Sequence, residues 1–449
     1  MTRKSRRIIV FICVVIFLVA APPIILYSLG YRIDIKHLTI VATGGIYVRT
    51  APTGVSITID STNTEKTGLL SDAVFVQDLV PGQHSVSITK DGYFDYKKNL
   101  SVKENEVTKL EHITLIKKQT PVATLETNAS NFFVAPDKNT ILLTQTKGSV
   151  INFETITAND LQKRQLSSAI KNSSIKDVIW SADSKKALLL MTNGGYSLLD
   201  LSLNTIASFP SLANAKQPSF NPANPGQIYY IKNNNLFINT QTAPLLKNVA
   251  AYQVSSQDIT WLSYDGFLYA SSLDGTTNIK ITTAAFQVKK ANTYKLISTA
   301  GMNFLQENTA LYLLNKKTQA FELYKNPVTT VKTSPDGQKI AVTDDHHVFI
   351  TILQGPSAVE KRQLTSFAEP IQNFYWLNSD YLILQLQNTI VISEIDYRDT
   401  VNTVDLSSGM TVNNIPIAIK NPQIFFNSQD RKLYFLNQNS FFVSDPLTP

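Results

Sequence analysis

Cysteine occurs once in the 449 residues, as Cys13, and histidine only five times. A single thiol forms no intramolecular disulfide, so packing alone must hold the fold, and so few imidazoles leave little for metal ligation or general-base work. Charge is also scarce. Charged residues make up 17% of the chain and aromatics 10%, which excludes a disordered chain and suits packed β-structure. The net charge of +7 is basic in name only, because Arg3, Lys4, Arg6 and Arg7 supply four of those charges. The remainder is too dilute to be an electrostatic footprint for nucleic acid. Motifs of chemistry are missing as well. There is no Gly-x-Ser-x-Gly elbow, no His-Glu-x-x-His, no phosphate-binding glycine loop, and no cysteine nucleophile outside the apolar N-terminal run. No residue is therefore assigned a catalytic, cofactor-binding or metal role, and no cofactor is expected.

What is present begins with that run. Residues 8–29 carry no charge, and 22 residues at 1.5 Å of rise reach about 33 Å, enough for a hydrocarbon core of about 30 Å. Four cations precede it, whereas Arg32, Asp34 and Lys36 nearly balance beyond it, so the positive-inside rule places the N-terminus in the cytoplasm and the rest outside. Leu18-Val19-Ala20-Ala21 offers a signal-peptidase site. Pro22 and Pro23 follow it directly and the run continues past it, which favours an uncleaved anchor in the cytoplasmic membrane. Phe11-Ile12 before Cys13 is not the small-residue box that lipidation requires. The two prolines are expected to kink the last turns. A basic tail of residues 1–7 is too short for a cytoplasmic domain, and residues 30–43 read as a linker.

From residue 44 the period changes to two. Gly45-Ile46-Tyr47-Val48-Arg49 alternates, and Val55, Ile57 and Ile59 share a face across Pro52-Thr53-Gly54. Further strands are predicted at 73–79, 83–89, 94–102 and 107–116, punctuated by Pro81-Gly82, Asp91-Gly92 and Glu104-Asn105-Glu106. Residues 44–117 resemble the PEGA domain, a small β-sandwich of extracytoplasmic proteins. The matching blocks are Ile46-Tyr47-Val48-Arg49-Thr50, Pro52-Thr53-Gly54-Val55, Leu79-Val80-Pro81-Gly82-Gln83-His84 and Lys90-Asp91-Gly92-Tyr93. A Thr-Pro pair common in the family is absent from Lys66-Thr67-Gly68-Leu69, which puts the local loop in question. The resemblance transfers no catalytic residue and implies a module for display or attachment. Tyr93 and His84 are expected to pack and to decorate turns.

Residues 118–449 repeat a unit of apolar strand, polar turn and further apolar strands. Asp137, Asp183, Asn224, Asp265, Gly301, Asp336, Asp380 and Asp430 mark the turns at spacings of 46, 41, 41, 36, 35, 44 and 50 residues. A mean of about 42 is the length of a four-stranded propeller blade. Ser334-Pro335-Asp336-Gly337 followed by Lys339-Ile340-Ala341-Val342 resembles the blades of WD40-like and TolB-type propellers. The fold class is thus mainly β: an N-terminal transmembrane helix, a PEGA-like β-sandwich and a β-propeller of about eight blades, or seven if the short units around Gly301 merge. Trp180, Trp261 and Trp376 each precede a turn and are expected between blades. The last unit supplies only three strands, at 423–427, 432–437 and 440–444. Residues 121–127 have strand character but no place in the first blade, so they are expected to pair with 440–444 and close the ring.

Two clusters invite chemistry. Asp344-Asp345-His346-His347 offers four metal-ligand side chains, but neighbours in a hairpin turn cannot all face one ion, and their spacing matches neither zinc nor calcium motifs. The turn carboxylates recur in nearly every unit, which points to turn formation rather than a glycosidase pair. The function expected is a membrane-anchored interaction protein, bound to the bilayer through residues 8–29 and to an envelope protein or surface polysaccharide, with no nucleic-acid partner. A propeller hydrolase or lyase with its site in the funnel, and a structural envelope component without a discrete ligand, are the alternatives.

Overall fold

The computed structural model describes residues 3–448 apart from 29, 35–38, 62, 69–70, 167–168, 172, 300 and 355–357. Lys36 and Leu69, named above, lie outside the described residues, as do residues 1–2 and 449.

The apolar run forms one helix, Arg3–Ser28, and both Pro22 and Pro23 lie inside it. Most of its apolar side chains are exposed, Phe17 at 68% and Val19 at 70%. Length and composition make Arg6–Ser28 a candidate membrane span. Gly30, at φ +84°, ends it by donating its N–H to the Tyr27 carbonyl at 3.2 Å. Arg32 adds a second donor to the same carbonyl at 2.9 Å. Within residues 30–43, the linker of the sequence reading, Tyr31–Asp34 pairs antiparallel with Thr39–Ala42. Four residues per strand gave too short a pattern for period two to register.

The chain divides into two compact units. The first comprises Met1–Thr120, Ser393–Val404 and Leu447–Pro449. Within it, Gly44–Ala51 runs antiparallel to Ala73–Leu79 and parallel to Val107–Thr114. A second sheet orders Asn63–Lys66, Ser56–Ile59, Gly82–Thr89 and Tyr96–Val102. Alternate residues of most strands turn inward, so that Ile46, Val48, Ile57, Ile59, Val86, Ile88 and Leu100 form one core, to which the irregular strands add Val76 and Leu79, and Leu110 and Ile113, each pair three residues apart. A side chain at Gly44 would collide with the Lys103 carbonyl, which explains a glycine at the entrance to the first sheet. Where the family's Thr-Pro pair is missing, buried Thr67 ties the loop down instead: its N–H donates to the Val55 carbonyl at 3.1 Å and its hydroxyl accepts the Val55 N–H at 2.9 Å.

The second unit comprises Pro121–Ile392 and Asp405–Pro446. Its described strands fall into eight sheets, nearly all of them antiparallel meanders in chain order. Apolar side chains from consecutive sheets interleave. Leu142 and Phe153 of one sheet pack with Leu189 and Leu199 of the next, and Leu188 with Ile228 of the one after. First strands meet first strands between most consecutive sheets: Ile175–Trp180 with Lys216–Asn221, Lys216–Asn221 with Val249–Val254, Val249–Val254 with Tyr294–Thr299, and Asn373–Trp376 with both Thr330–Thr333 and Gln423–Asn427, which is the geometry of a propeller with that strand innermost. The units flanking Gly301 stay separate: Val249–Val254 opens one sheet and Tyr294–Thr299 the next.

The ring closes as its strand count requires. Thr120–Thr127 pairs antiparallel with Ser440–Ser444, from Val122 opposite Ser444 to Thr127 opposite Ser440, with a bulge between Thr124 and Glu126. It is not the outermost strand, however. The hairpin of Met410–Val412 and Ile415–Pro416 adds to its far side, and Pro416 blunts the final edge.

One register of the repeat needs correcting. Six of the turn marks lie between the first and second strands of their sheets and Asn224 opens a second strand, but Asp265 lies between the second, Asp258–Ser263, and the third, Leu268–Ser272. The equivalent turn there is Ser255-Ser256-Gln257, which has neither Asp nor Gly. Trp261 consequently sits on a second strand, whereas Trp180 and Trp376 end first strands. All three still lie between sheets. Trp261 stacks on Tyr269 with centroids 4.7 Å apart, and Trp376 donates its indole N–H to the Lys332 carbonyl at 3.2 Å.

Candidate interaction surfaces

The innermost strands of the second unit carry amide and hydroxyl side chains that join sheet to sheet. Gln217 donates to the Tyr294 carbonyl and the Tyr252 hydroxyl to the Gln217 carbonyl, both at 2.6 Å. Gln253 accepts the Ser298 N–H at 3.1 Å, and Gln423 donates to the Phe132 carbonyl at 2.8 Å across the closure. In the same belt, Lys332 donates to the Asn373 side-chain oxygen at 3.0 Å and to the Phe374 carbonyl, with its ammonium 3.7 Å from the centre of the Tyr375 ring. Burial lowers the Lys332 amine to about 8 and raises the Tyr375 phenol to about 12. A partly neutral amine could act as a nucleophile, but this one is tied to two acceptors and an aromatic face and bolts two sheets together. No motif announced Lys332. Its one sequence signal is a lysine inside the short strand Thr330–Thr333.

The turn carboxylates hold their own turns and reach the next sheet. Asp183 accepts the Ser181 hydroxyl at 2.6 Å and the Lys185 N–H at 3.1 Å. Desolvation pushes Asp336 up, but the Ser334 hydroxyl, the Gln338 N–H and Lys339 outweigh it and hold the carboxyl down at about 2. Between sheets, the Asp137 N–H donates to the Ser184 hydroxyl at 3.0 Å, the Asp336 N–H to the Ser379 hydroxyl at 3.2 Å, and Lys339 to Asp380 at 3.2 Å. The repeated turn is therefore also a staple between blades, a role that turn chemistry alone did not reveal.

Asp344-Asp345-His346-His347 forms the expected hairpin turn. Asp344 accepts the N–H groups of His346 and His347 at 3.0 and 2.8 Å, and the His347 ring at 2.9 Å. The His346 ring pairs instead with the Phe367 carbonyl at 2.9 Å. Among the described residues no three His, Cys, Asp or Glu side chains converge as metal ligands. In the first unit, His84 bridges Asp60 at 2.6 Å and the Val80 carbonyl at 2.7 Å, while Tyr93 packs against the sandwich core.

Two buried ionic sites escaped sequence reasoning. In the first unit, Tyr96–Val102 alternates inward at Tyr96, Lys98, Leu100 and Val102, which puts a lysine in a core position. Lys98 is matched there by Glu394, itself only 2% exposed, and by the Asp396 carbonyl at 2.7 Å. Glu394 also accepts the Tyr96 hydroxyl, and the N–H and side-chain amide of Asn402, each at 2.8 Å. Asn402 and Asp399 further occupy the open edge of that strand, at the Lys97 carbonyl and the N–H groups of Lys97 and Asn99.

In the second unit, buried Glu154 has one carboxylate oxygen without a hydrogen-bond partner among the described residues. Desolvation and then the nearby Glu126 raise its pKa, opposed by Lys163 and Gln165. Lys163 is itself paired with Glu126 at 2.5 Å. A folded pKa above the unfolded value of about 4.3 stabilises fully below that pH and loses the contribution as pH rises through the folded value. Glu154→Gln mimics the protonated form, so it should raise the melting temperature at pH 7 to 8 and leave it unchanged near pH 4. Melting curves across that range test this, and a variant less stable than the parent at pH 8 contradicts it.

Against known proteins, residues 43–118 match the PEGA domain model. No curated protein matches the chain. Among solved structures, the β-propeller domain of Cps50 (Swd1) from Myceliophteria thermophila is 11% identical, with 72% of this chain and 98% of that one covered at a TM-score of 0.41. The C-terminal WD40 domain of Sif2 is 12% identical, with 73% and 99% covered at 0.46, and U3-55K is 10% identical, with 72% and 98% covered at 0.37. Scores of this size carry no functional argument, and the propeller stands on its own sheets.

Proposed function

We propose that this is a single-pass membrane protein that holds a PEGA-like sandwich and a propeller outside the cytoplasm and binds an envelope protein, cell-wall polymer or surface glycan. The observation that carries the proposal is the PEGA match at residues 43–118, which begins directly beyond a membrane-length helix with its cations on the opposite side. The propeller adds broad rims of turns and an amide-rich inner belt, surfaces suited to recognition. Its turn carboxylates are engaged in holding turns and neighbouring sheets, which supports recognition over hydrolysis.

Topology is testable because the native cysteine lies within the helix. With Cys13→Ser in place, a cysteine at exposed Leu203 should react with a membrane-impermeant maleimide in intact spheroplasts. Labelling only after lysis would reverse the orientation. For the binding role, the full chain in detergent should retain one envelope protein or polysaccharide saturably. Turnover of a glycan substrate that is lost on substituting a propeller carboxylate would replace binding by catalysis.

A further inference from the structure

The hairpin of Tyr31–Asp34 and Thr39–Ala42 has two unlike faces. Register places Arg32 opposite Val41, and Tyr31 opposite Ala42. Arg32 reaches Asp78 of the sandwich at 2.8 Å, while its guanidinium lies 3.5 Å from the centre of the Tyr27 ring. That face is therefore held by the unit's own groups. The other face carries Tyr31 and Ile40, and Ile40 is 58% exposed. Ala42, on the same face, is buried at its helix end. One exposed isoleucine is ordinary on a protein surface; this one shares its face with Tyr31, three residues beyond a membrane-length helix, and an amphipathic aromatic beside an apolar side chain at that height suits the bilayer interface.

Chain geometry limits what can cover it. The span ends at Ser28, and the helix-closing bond is made to Tyr27, which is 64% exposed and placed as an interfacial aromatic. Tyr31 follows one turn later, and a four-residue strand reaches only about 13 Å. The headgroup layer adds about 5–7 Å on each side of the hydrocarbon. A face this close to the end of a spanning helix meets lipid before it meets any protein partner.

We propose that the Tyr31 and Ile40 face of this hairpin lies in the outer headgroup boundary of the bilayer, a second membrane contact that fixes the angle at which the chain leaves the helix. It rests on the anchor reading given above. The contact is apolar, because the Arg32 donors are already engaged by the Tyr27 and Tyr31 carbonyls and by Asp78. It therefore needs no anionic lipid and resists salt.

The test uses the full chain in phosphatidylcholine vesicles, with an environment-sensitive fluorophore on one cysteine at a time. The sites are native Cys13 and, with Cys13→Ser, Ile40→Cys, Tyr31→Cys and Leu203→Cys. Nitroxide lipids labelled near the headgroup or deep in the acyl chain serve as quenchers. At Cys13 the deep quencher should act most strongly. At positions 40 and 31 the shallow quencher should act several-fold more strongly than at 203, with blue-shifted emission that persists in high salt. If Cys13 is quenched while 40 and 31 behave like 203, the hairpin proposal is wrong and the anchor stands. If Cys13 is unquenched, both fall. Having two hairpin sites guards against one substitution disturbing the strand pair.

Discussion

Replacing residues 120–127 by a Gly-Ser segment of equal length is expected to abolish cooperative melting of the second unit. The segment is the fourth strand of the sheet that begins and ends the ring. Its removal leaves Ser440–Ser444, with buried Phe441 and Val443, as an open edge. It also uncovers the cluster where Tyr434 and Phe441 meet Ile141, Leu143 and Ile156 of the first sheet, and it removes the Glu126 carboxylate that holds Lys163. Adjacent sheets elsewhere are joined by chain continuity; here the pairing is the join. A loss above about 3 kcal/mol is a large share of a net stability of about 5–15 kcal/mol. Calorimetry and amide exchange over residues 440–444 measure it. A sharp transition within about 1 kcal/mol of the parent would show that the ring is held by side-chain packing alone.

That closure was legible in the sequence because it is an arithmetic of strands: a last unit one strand short, and an orphan strand before the first. The helix and the alternating sandwich strands were legible for a similar reason, since period and length are local properties. Misreading began where two turns have the same chemistry. Asp265-Gly266 is as good a turn signal as Pro335-Asp336-Gly337, yet it falls one strand later in its sheet and took Trp261 with it. Lys332 stayed hidden because its acceptors, Asn373 and the Phe374 carbonyl, come from the next sheet and include no opposite charge. The Lys98 site was half visible, as a lysine at an inward position of a strand. Its carboxylate lies 296 residues away, and no pattern in one sequence joins them.

Glu394→Ala should destabilise the first unit by about 3–5 kcal/mol, the usual cost of leaving one member of a buried ion pair alone. The substitution strands Lys98, whose side chain is wholly buried and whose next carboxylate, Asp396, is 3.8 Å away. It also removes the acceptor of the Tyr96 hydroxyl and of the Asn402 N–H and amide, and Asn402 is one of the groups that cover the free edge of Tyr96–Val102. Hydrogen exchange of Gly82–Thr89 and Tyr96–Val102 in the full chain reports the loss. Glu394→Gln keeps the acceptor and drops the charge, so it should fall between the parent and the alanine variant. Combining Glu394→Leu with Lys98→Met removes both charges and should recover most of the stability, because well-packed apolar residues often replace a buried pair at little cost. If Glu394→Ala changes exchange in these strands by less than about 1 kcal/mol, the pair is not what holds this part of the unit. The same contacts bear on a fragment of residues 44–117, the stretch that resembles a PEGA domain. Such a fragment lacks residues 393–404, leaves Lys98 without a counter-ion and exposes the edge at Lys97 and Asn99. It should melt below the same strands in the intact chain, and a synthetic peptide of residues 393–404 should restore protection at Lys97 and Asn99 only if it carries Glu394.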